Sequence, residues 1–333
     1  MPLKFEKVAI TGGAGYVGSA LVPSLVSRGY DVTVLDLFIY GEDVLGLESE
    51  HLHKVRLDIR DEKALSERLR GMDAVIHLAC ISNDPSFDLD PALGRSINYE
   101  AFPGLLRAVR GSGAQRFIYA STSSVYGVRP EKDVDEESPC EPLTDYSRYK
   151  LMCEEILKKE GVGDCEYVIL RPATVCGYAR RLRLDLTVNI LTINALVKKK
   201  ITVFGGSQLR PNVHMLDVID VYRLLLEADG KKIHRETFNA GYQNRSVSDI
   251  AEMVKKELAD PSLTLECQPT DDIRSYHISS GKIRRVLGFQ ATHTIEEAIR
   301  DLASAYREGR IKDPLTNPLY YNIKRMKEIR LSS

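Results

Sequence analysis

The chain has 333 residues, of which 43% are hydrophobic, so it can bury a substantial core in one large or two modest domains. Its formal net charge of -1 at pH 7 argues against nucleic acid or an anionic membrane as the main partner. Its 6 cysteines include no Cys-x-x-Cys pair and its 7 histidines no cluster at zinc-ligand spacing, so no metal site is predicted.

The opening residues lead directly into an apolar strand and carry no signal-peptide pattern. Every apolar run is interrupted by charge or glycine well before the roughly 20 residues that span a bilayer. We therefore expect no export, no membrane association and a cytoplasmic location, where the cysteines remain isolated thiols.

The first half of the sequence alternates short β-branched runs with helical segments, a pattern typical of parallel strands joined by crossover helices. Strands are predicted at residues 7–11, 31–35, 54–57, 74–78, 116–120 and 167–170. Helices are predicted at residues 17–27, 61–69, 92–110 and 146–160. Pro23 falls inside the first helix and should remove one hydrogen bond and kink it. The order predicts an α/β fold, a Rossmann-type doubly wound parallel sheet with its ligand at the carboxyl ends of the strands.

The pattern changes at about residue 177, where a basic loop precedes a predicted helix at 188–198 and a short strand at 201–204. A further helix near 217–228 and a strand near 236–240 follow, and this part of the chain could return to the main sheet. We therefore predict one domain at residues 1–176, joined by 214–241. A smaller C-terminal domain is predicted from residues 177–213 and 242–333.

The first strand is followed by the segment TGGAGYVG at 11–18, which contains Gly-x-Gly-x-x-Gly between a strand and a helix. Glycines there let the backbone turn tightly and approach a pyrophosphate, which the N-terminus of the helix attracts. The second strand ends at Asp36, where a carboxylate accepts ribose hydroxyls and repels the extra phosphate of NADP, so the predicted cofactor is NAD. Asp58 after the third strand is interpreted as an adenine contact together with Ile59, or alternatively as a helix cap.

Tyr146 and Lys150 are four residues apart at the start of a predicted helix and therefore share one face. A tyrosine with the ordinary pKa of about 10 is a poor base at neutral pH, but a neighbouring ammonium favours the phenolate. Alone, this spacing is better explained as a solvated helix face. The segment STSSVYG at 121–127 directly follows the fifth strand, and the hydroxyl of Thr122 could orient a substrate alcohol. Other hydroxyls in that segment could belong to a polar turn.

With these segments in this order, the chain resembles the extended short-chain dehydrogenase/reductases of the NAD-dependent epimerase/dehydratase family over essentially its whole length. Further matching segments are HLA at 77–79, LRP at 170–172 and VFGGSQLRPNVH at 203–214. The resemblance implies three catalytic residues, Thr122, Tyr146 and Lys150. Together with the motifs it predicts cofactor contacts by Gly12, Gly15, Tyr16, Val17, Gly18, Asp36, Asp58, Ile59, Leu78, Ala79, Asn98, Tyr146, Lys150 and Pro172. It predicts substrate contacts by Ser82, Thr122, Ser123, Thr174, Asn189, Arg210 and Arg274.

The resemblance also implies the substrate, a nucleotide-diphosphate sugar whose hydroxyl, usually at C4, is oxidised by NAD. Arg210 and Arg274 match arginines that hold the substrate diphosphate, a role that suits the guanidinium fork. Arg181 and Arg183, in the basic loop, are interpreted as solvated. The first domain becomes the NAD-binding domain and the smaller one the substrate domain, and the resemblance implies a homodimer.

The residues after Thr122 distinguish between reactions. In the 4,6-dehydratases of the family the catalytic threonine is followed by Asp-Glu, whereas this chain has Ser123 and Ser124, which carry no carboxyl group. We therefore predict an epimerase. The alternatives are a dehydrogenase or reductase with net NADH turnover, as in heptose-modifying relatives with a similar Arg-x-Arg-x-Asp-Leu loop at 181–186, and a 4,6-dehydratase. Retention of the three catalytic residues argues against a non-catalytic NAD-binding regulator.

Overall fold

The structure, a computed structural model, describes residues 3–46, 48–82, 89–131, 133–270 and 275–329. Arg274, predicted as a substrate contact, lies outside the described residues. The strands are β1 Lys7–Thr11, β2 Asp31–Asp36, β3 Leu52–Arg56, β4 Ala74–His77, β5 Arg116–Ala120, β6 Glu166–Pro172, β7 Thr174–Cys176, β8 Lys200–Phe204, β9 Leu209–His214, β10 Glu236–Ala240, β11 Gln243–Ser246 and β12 Thr264–Gln268. The helices are α1 Gly18–Val26, α2 Glu62–Leu69, α3 Pro91–Arg95, α4 Phe102–Ser112, α5 Asp145–Glu160, α6 Thr187–Lys198, α7 Met215–Glu227, α8 Gly230–Ile233, α9 Val247–Leu258, α10 Gly281–Leu287, α11 Ile295–Arg307 and α12 Asn322–Ile329.

The main sheet of the described chain has seven strands in the order β10-β6-β5-β4-β1-β2-β3, all parallel. Leu21 and Leu25 of α1 belong to one buried apolar cluster on this sheet, and Leu105 of α4 and Leu157 of α5 belong to another. Helices therefore cover both faces, as a parallel sheet requires, and the predicted doubly wound fold is confirmed. The strand order reverses between β1 and β4, which opens a crevice at their carboxyl ends.

The predicted helix at 92–110 is in fact two α-helices, α3 and α4, separated by a π-helical turn at Ser96–Glu100. Pro103 explains the interruption, because it has no backbone N–H to donate to the carbonyl four residues earlier. The N–H of Ala101 instead bonds to the carbonyl of Ser96, five residues back, at 3.0 Å. Such π turns are frequent at functional sites, and this one contains Asn98.

The second half of the chain adds two small sheets to the main one. The first has the order β11-β9-β7, and the second pairs β8 with β12 in parallel. Helices α6, α9 and α11 pack with β8 around a separate apolar cluster. Strand β10 lies at the edge of the main sheet beside β6, where the predicted return of 214–241 places it. The proposed domain boundaries themselves stay a prediction. Within the described ranges, no helix is long and apolar enough to cross a membrane.

Candidate active site

A cleft of about 720 Å³ lies at the carboxyl ends of the central strands, within the range of roughly 300–1,000 Å³ typical of ligand pockets. It brings together most of the predicted site residues: Gly12, Gly15, Tyr16, Val17, Gly18, Asp36, Asp58, Ile59, Leu78, Ala79, Ser82, Thr122, Ser123, Tyr146, Lys150, Pro172, Thr174 and Arg210. Asn98 and Asn189 are not among the described residues that line it. The sequence-predicted cofactor and catalytic segments therefore converge on one place.

The glycine turn after β1 can fold as it does only because Gly12 and Gly18 lack side chains. Gly12 has a φ of +73°, and a Cβ there would lie 2.5 Å from the backbone nitrogen of Ala79. A Cβ on Gly18 would lie 2.3 Å from the carbonyl oxygen of Gly13. The turn therefore packs closely against the loop after β4 and leaves the N-terminus of α1 open to a phosphate, so the residues present fit a dinucleotide.

Asp36 ends β2 and lines the same cleft. One carboxylate oxygen accepts the N–H of Ala14 at 2.9 Å, and the other accepts the N–H of Phe38 at 2.7 Å. Burial raises the pKa of the Asp36 carboxyl, and these backbone donors oppose that effect. Each oxygen keeps a lone pair, so the carboxylate is held in place and can still accept ribose hydroxyls.

We expect Asp36→Asn to weaken NAD binding about 10- to 100-fold, because hydrogen bonds to a charged group contribute about 1.5–3 kcal/mol. Titration calorimetry gives the dissociation constants for NAD and NADP. The ratio of the two constants should also decrease, because the variant lacks the charge that repels the extra phosphate of NADP. Asp31→Asn is the matched control, because Asp31 begins the same strand and pairs only at the surface with His53 at 2.7 Å. Equal NAD affinity in the Asp36 variant and the wild type would contradict the assignment.

Asp58 lies at the cleft after β3 but does not cap the next helix, so the alternative interpretation is wrong. Asp61 provides that cap by accepting the N–H of Ala64 at 3.0 Å. Asp58 instead pairs with Arg60 at 2.7 Å. Burial raises the pKa of Asp58, but the hydrogen bonds from Arg60 outweigh it and the net shift is downward. The adenine contact stays a prediction, made by a carboxylate that Arg60 keeps ionised.

Tyr146 and Lys150 lie in the first turns of α5, whose start is fixed by reciprocal hydrogen bonds between Thr144 and Ser147. Tyr146 is half-buried, and Lys150 is buried with its Nζ donating to the carbonyl oxygen of Ala120 at 2.6 Å. That bond uses one of three ammonium hydrogens and directs the group toward the end of β5. Tyr146 and Lys150 therefore line the cleft and do not belong to a solvated helix face.

A buried histidine lies near Lys150 without adding a charge. His77, at the end of β4, shares a hydrogen bond of 2.7 Å between its Nδ1 and the hydroxyl of Thr11. Burial first, and repulsion from Lys150 second, lower the pKa of His77 to about 3. The imidazole is therefore neutral near pH 7, and the ammonium supplies the local positive charge.

Thr122 follows β5 and begins the short 3-10 turn Ser123–Tyr126. Its Oγ1 lies 2.9 Å from the Oγ of Ser124 and accepts the N–H of the same residue at 3.2 Å. The residues at 121–124 all line the cleft. The Ser121 hydroxyl is in addition engaged within the protein, because it donates to the buried carboxylate of Glu154.

Two predicted ligand residues act from beneath the cleft. Asn98 is buried and its amide pairs with both backbone groups of Ile81, at 2.8 and 2.9 Å, which fixes the loop after β4. Asn189 is fully buried, and its amide bonds to the N–H of Gly177 and the hydroxyl of Tyr16 at 3.1 and 3.0 Å. Its location does not support the predicted direct substrate contact, because its donors and acceptor hold the loop from Gly177 to Arg183 instead.

The interpretation of Arg181 and Arg183 as solvated is wrong. Both line the cleft, Arg181 is only 3% exposed, and its guanidinium lies 3.7 Å from the centroid of the Tyr40 ring. Arg183 pairs with Asp185 at 3.0 Å, and both of those side chains are also largely buried. The sequence shows only a basic loop, whose charges are typical of a solvated turn.

The C-terminal helix α12 and the residue before it contribute cleft residues that sequence reasoning missed. Tyr321, Asn322 and Lys324 are among them, although they follow the glycine turn by about 300 residues. Asn322 is buried and donates to the hydroxyl and carbonyl oxygens of Ser82 at 3.0 Å each. Because this contact joins distant parts of the chain, no local pattern of residues signals it.

The sheet order, the glycine turn and the cleft define an extended short-chain dehydrogenase/reductase fold. Residues 8–241 match the NAD dependent epimerase/dehydratase family, and the chain therefore belongs to that family, whose cofactor is NAD. It is 29% identical over 312 residues to a UDP-glucose 4-epimerase of Lactobacillus helveticus, covering 86% of this chain and 92% of that protein. It is 27% identical over 338 residues to a dTDP-glucose 4,6-dehydratase of Streptomyces niveus, covering 94% and 96%.

Among solved structures, the UDP-glucose 4-epimerase of Thermus thermophilus in complex with NAD superposes with a TM-score of 0.79 and 25% identity. The superposition covers 90% of this chain and 98% of that one. The curated relatives thus include both epimerases and dehydratases, and the family alone leaves the final step of the reaction open.

Proposed function

We propose that this protein is an NAD-dependent nucleotide-sugar epimerase that transiently oxidises a sugar hydroxyl at C4. The observation that carries the proposal is the convergence of Thr122, Tyr146 and Lys150 at one end of a cleft whose other end carries the glycine turn and Asp36. The similarity to epimerases that act on UDP-glucose supports a nucleotide-diphosphate sugar as the substrate class.

The chain's own residues then divide the work as follows. The hydroxyl of Thr122 orients the sugar alcohol, and the phenolate of Tyr146 accepts its proton. The ammonium of Lys150 stabilises that phenolate and is held in place by the carbonyl of Ala120. Bound NAD, which the glycine turn and Asp36 would hold, would supply reversible hydride transfer at that sugar carbon. Tyr146 finally returns its proton to the new alkoxide.

The carboxylates at the cleft favour epimerisation over dehydration. Among the described residues that line it, the carboxyl groups are those of Asp36, Asp58 and Asp185. The first two follow β2 and β3, away from Thr122. Burial raises the pKa of Asp185, but Arg183 outweighs it and the net shift is downward, so Asp185 is a poor proton donor. Elimination of water needs a protonated group beside the catalytic threonine, where this chain has Ser123 and Ser124.

The test is a panel of UDP-, GDP-, CDP- and dTDP-sugars incubated with the purified protein in D₂O, with products identified by NMR and NADH followed by absorbance. We expect one sugar to form its C4 epimer with the C4 hydrogen retained, because the hydride is returned internally, and no NADH to accumulate. NADH without an isomer would establish the dehydrogenase alternative. A 4-keto-6-deoxy sugar carrying deuterium would establish the dehydratase.

A further inference from the structure

The basic loop between β7 and α6 places one arginine in an unusual setting. Arg181 lines the cleft, yet only 3% of its surface is exposed. Its Nη2 donates to the side-chain oxygen of Asn322, whereas its Nε and Nη1 have no hydrogen-bond partner among the described residues. Burial lowers the pKa of Arg181, and Tyr40 and Asp185 oppose that effect only in part.

Two contacts locate this guanidinium along the cleft. The backbone N–H of Arg181 donates to the hydroxyl of Ser19, in the first turn of α1, at 3.2 Å. The guanidinium itself stacks on Tyr40, which follows Asp36 in the loop after β2. Arg181 therefore lies between the N-terminus of α1, where a dinucleotide pyrophosphate binds, and the loop that follows the ribose-binding carboxylate.

The helix α12 holds this arrangement from the other side. The side-chain oxygen of Asn322 accepts from both Arg181 and the hydroxyl of Tyr40, the latter at 2.9 Å. Its amide nitrogen donates to Ser82 in the loop after β4. Arg325 adds a bond to the carbonyl of Ile39. One buried asparagine thus joins three segments that border the cofactor end of the cleft.

We propose that Arg181 is a dinucleotide-binding residue whose guanidinium contacts the pyrophosphate of NAD, and that Asn322 positions it. The N–H groups of Nε and Nη1, which lack acceptors among the described residues, then find phosphate oxygens, for which the guanidinium fork is suited in charge and shape. The pyrophosphate is enclosed between the N-terminus of α1 and Arg181. This inference concerns the cofactor, so it stands or fails independently of which reaction the enzyme performs.

The test measures how well ADP and adenosine displace NADH from the purified protein, followed by NADH fluorescence. Displacement of NADH reports on binding at the cofactor site. ADP carries phosphates and adenosine does not, so the difference between their affinities measures the phosphate contact. For Arg181→Gln, which keeps a donor for Asn322, we expect about 10- to 100-fold weaker ADP binding and adenosine binding within about twofold of wild type. Arg181→Lys should lose less, because it keeps the charge but not the fork.

Arg310→Met is the matched control, because Arg310 stacks on Tyr178 of the same loop at 4.6 Å and is not among the described residues that line the cleft. It should bind ADP as the wild type does. Asn322→Ala should weaken ADP binding several-fold through loss of positioning, and less NAD should copurify with it. Unchanged ADP affinity in both Arg181 variants would overturn the proposal. Equal losses for ADP and adenosine would also overturn it, because they would show a structural role of the loop.

Discussion

Replacing Tyr146 with Phe is expected to lower kcat by about 10²- to 10⁴-fold while the protein still binds NAD. Removal of a positioned general acid and base typically costs that much, and in the proposed reaction the phenol takes and returns the hydroxyl proton. The ring, half-buried at the start of α5, fits its site without the hydroxyl. Steady-state turnover of the accepted sugar and NAD titration of the same preparation provide the measurement.

Tyr149→Phe is the matched control, because Tyr149 lies on the same helix and its ring stacks on Tyr99 at a centroid distance of 5.3 Å. It should leave kcat within a few-fold of the wild type. If Tyr146→Phe kept full turnover, the proton would have to leave by another route. If the wild-type protein bound NAD but turned over none of the sugars, it would be a non-catalytic NAD-binding regulator. The retained catalytic residues argue against that outcome.

The sequence predicted the main sheet well because most of its strands are buried on both faces, the partly exposed edge strand β3 being an exception. Such strands appear as short continuous apolar runs, and the predicted ends differ from β1 to β6 by at most two residues. Several site residues could be predicted equally well, because each lies at a fixed position relative to the end of a strand or helix. They are the glycine turn, Asp36, Tyr146 and Lys150. Strand β7 was missed, since three residues carry too little periodicity.

The errors share a physical origin in contacts between distant segments. Arg181 and Arg183 look like solvated charges, and only the approach of α1, Tyr40 and α12 buries Arg181. Asn189 matches a ligand position by order along the chain, yet its amide is used by Gly177 and Tyr16. A sequence pattern reports local preference, whereas the burial and pairing of a polar side chain depend on what the fold brings against it.

Enclosure of the cofactor would also suit the proposed reaction. An epimerase regenerates NAD in each cycle and has no need to release it, whereas a dehydrogenase must exchange NADH for NAD after every turnover. If Arg181, positioned by Asn322, binds the pyrophosphate as proposed, the bound cofactor should exchange slowly. Slow exchange of bound NAD would therefore agree both with a pyrophosphate contact by Arg181 and with an epimerase. The contact and the reaction can still be tested separately.

Replacing Arg171 with Met is expected to lower the free energy of unfolding by about 3–5 kcal/mol, because it leaves the buried Glu154 carboxylate with the partly exposed Lys158, 3.5 Å away, as its counter-charge. Both side chains are almost fully buried, and two bonds of 2.9 and 2.6 Å join them between β6 and α5. Burial alone would lower the pKa of Arg171, but Glu154 raises it above its ordinary value, so the guanidinium stays charged. Urea unfolding at neutral pH gives the measurement.

The ion pair of Arg171 and Glu154 lies next to the catalytic residues. Glu154 also accepts from Ser121, next to Thr122, and lies one helical turn after Lys150. The double variant Arg171→Met with Glu154→Leu should recover most of the lost stability, because an apolar pair of similar volume needs no buried counter-charge. Arg300→Met, which breaks a half-exposed pair with Glu257, should change stability far less. If Arg171→Met and Arg300→Met cost the same, the buried pair would contribute no more to stability than the half-exposed one, and the prediction would be wrong.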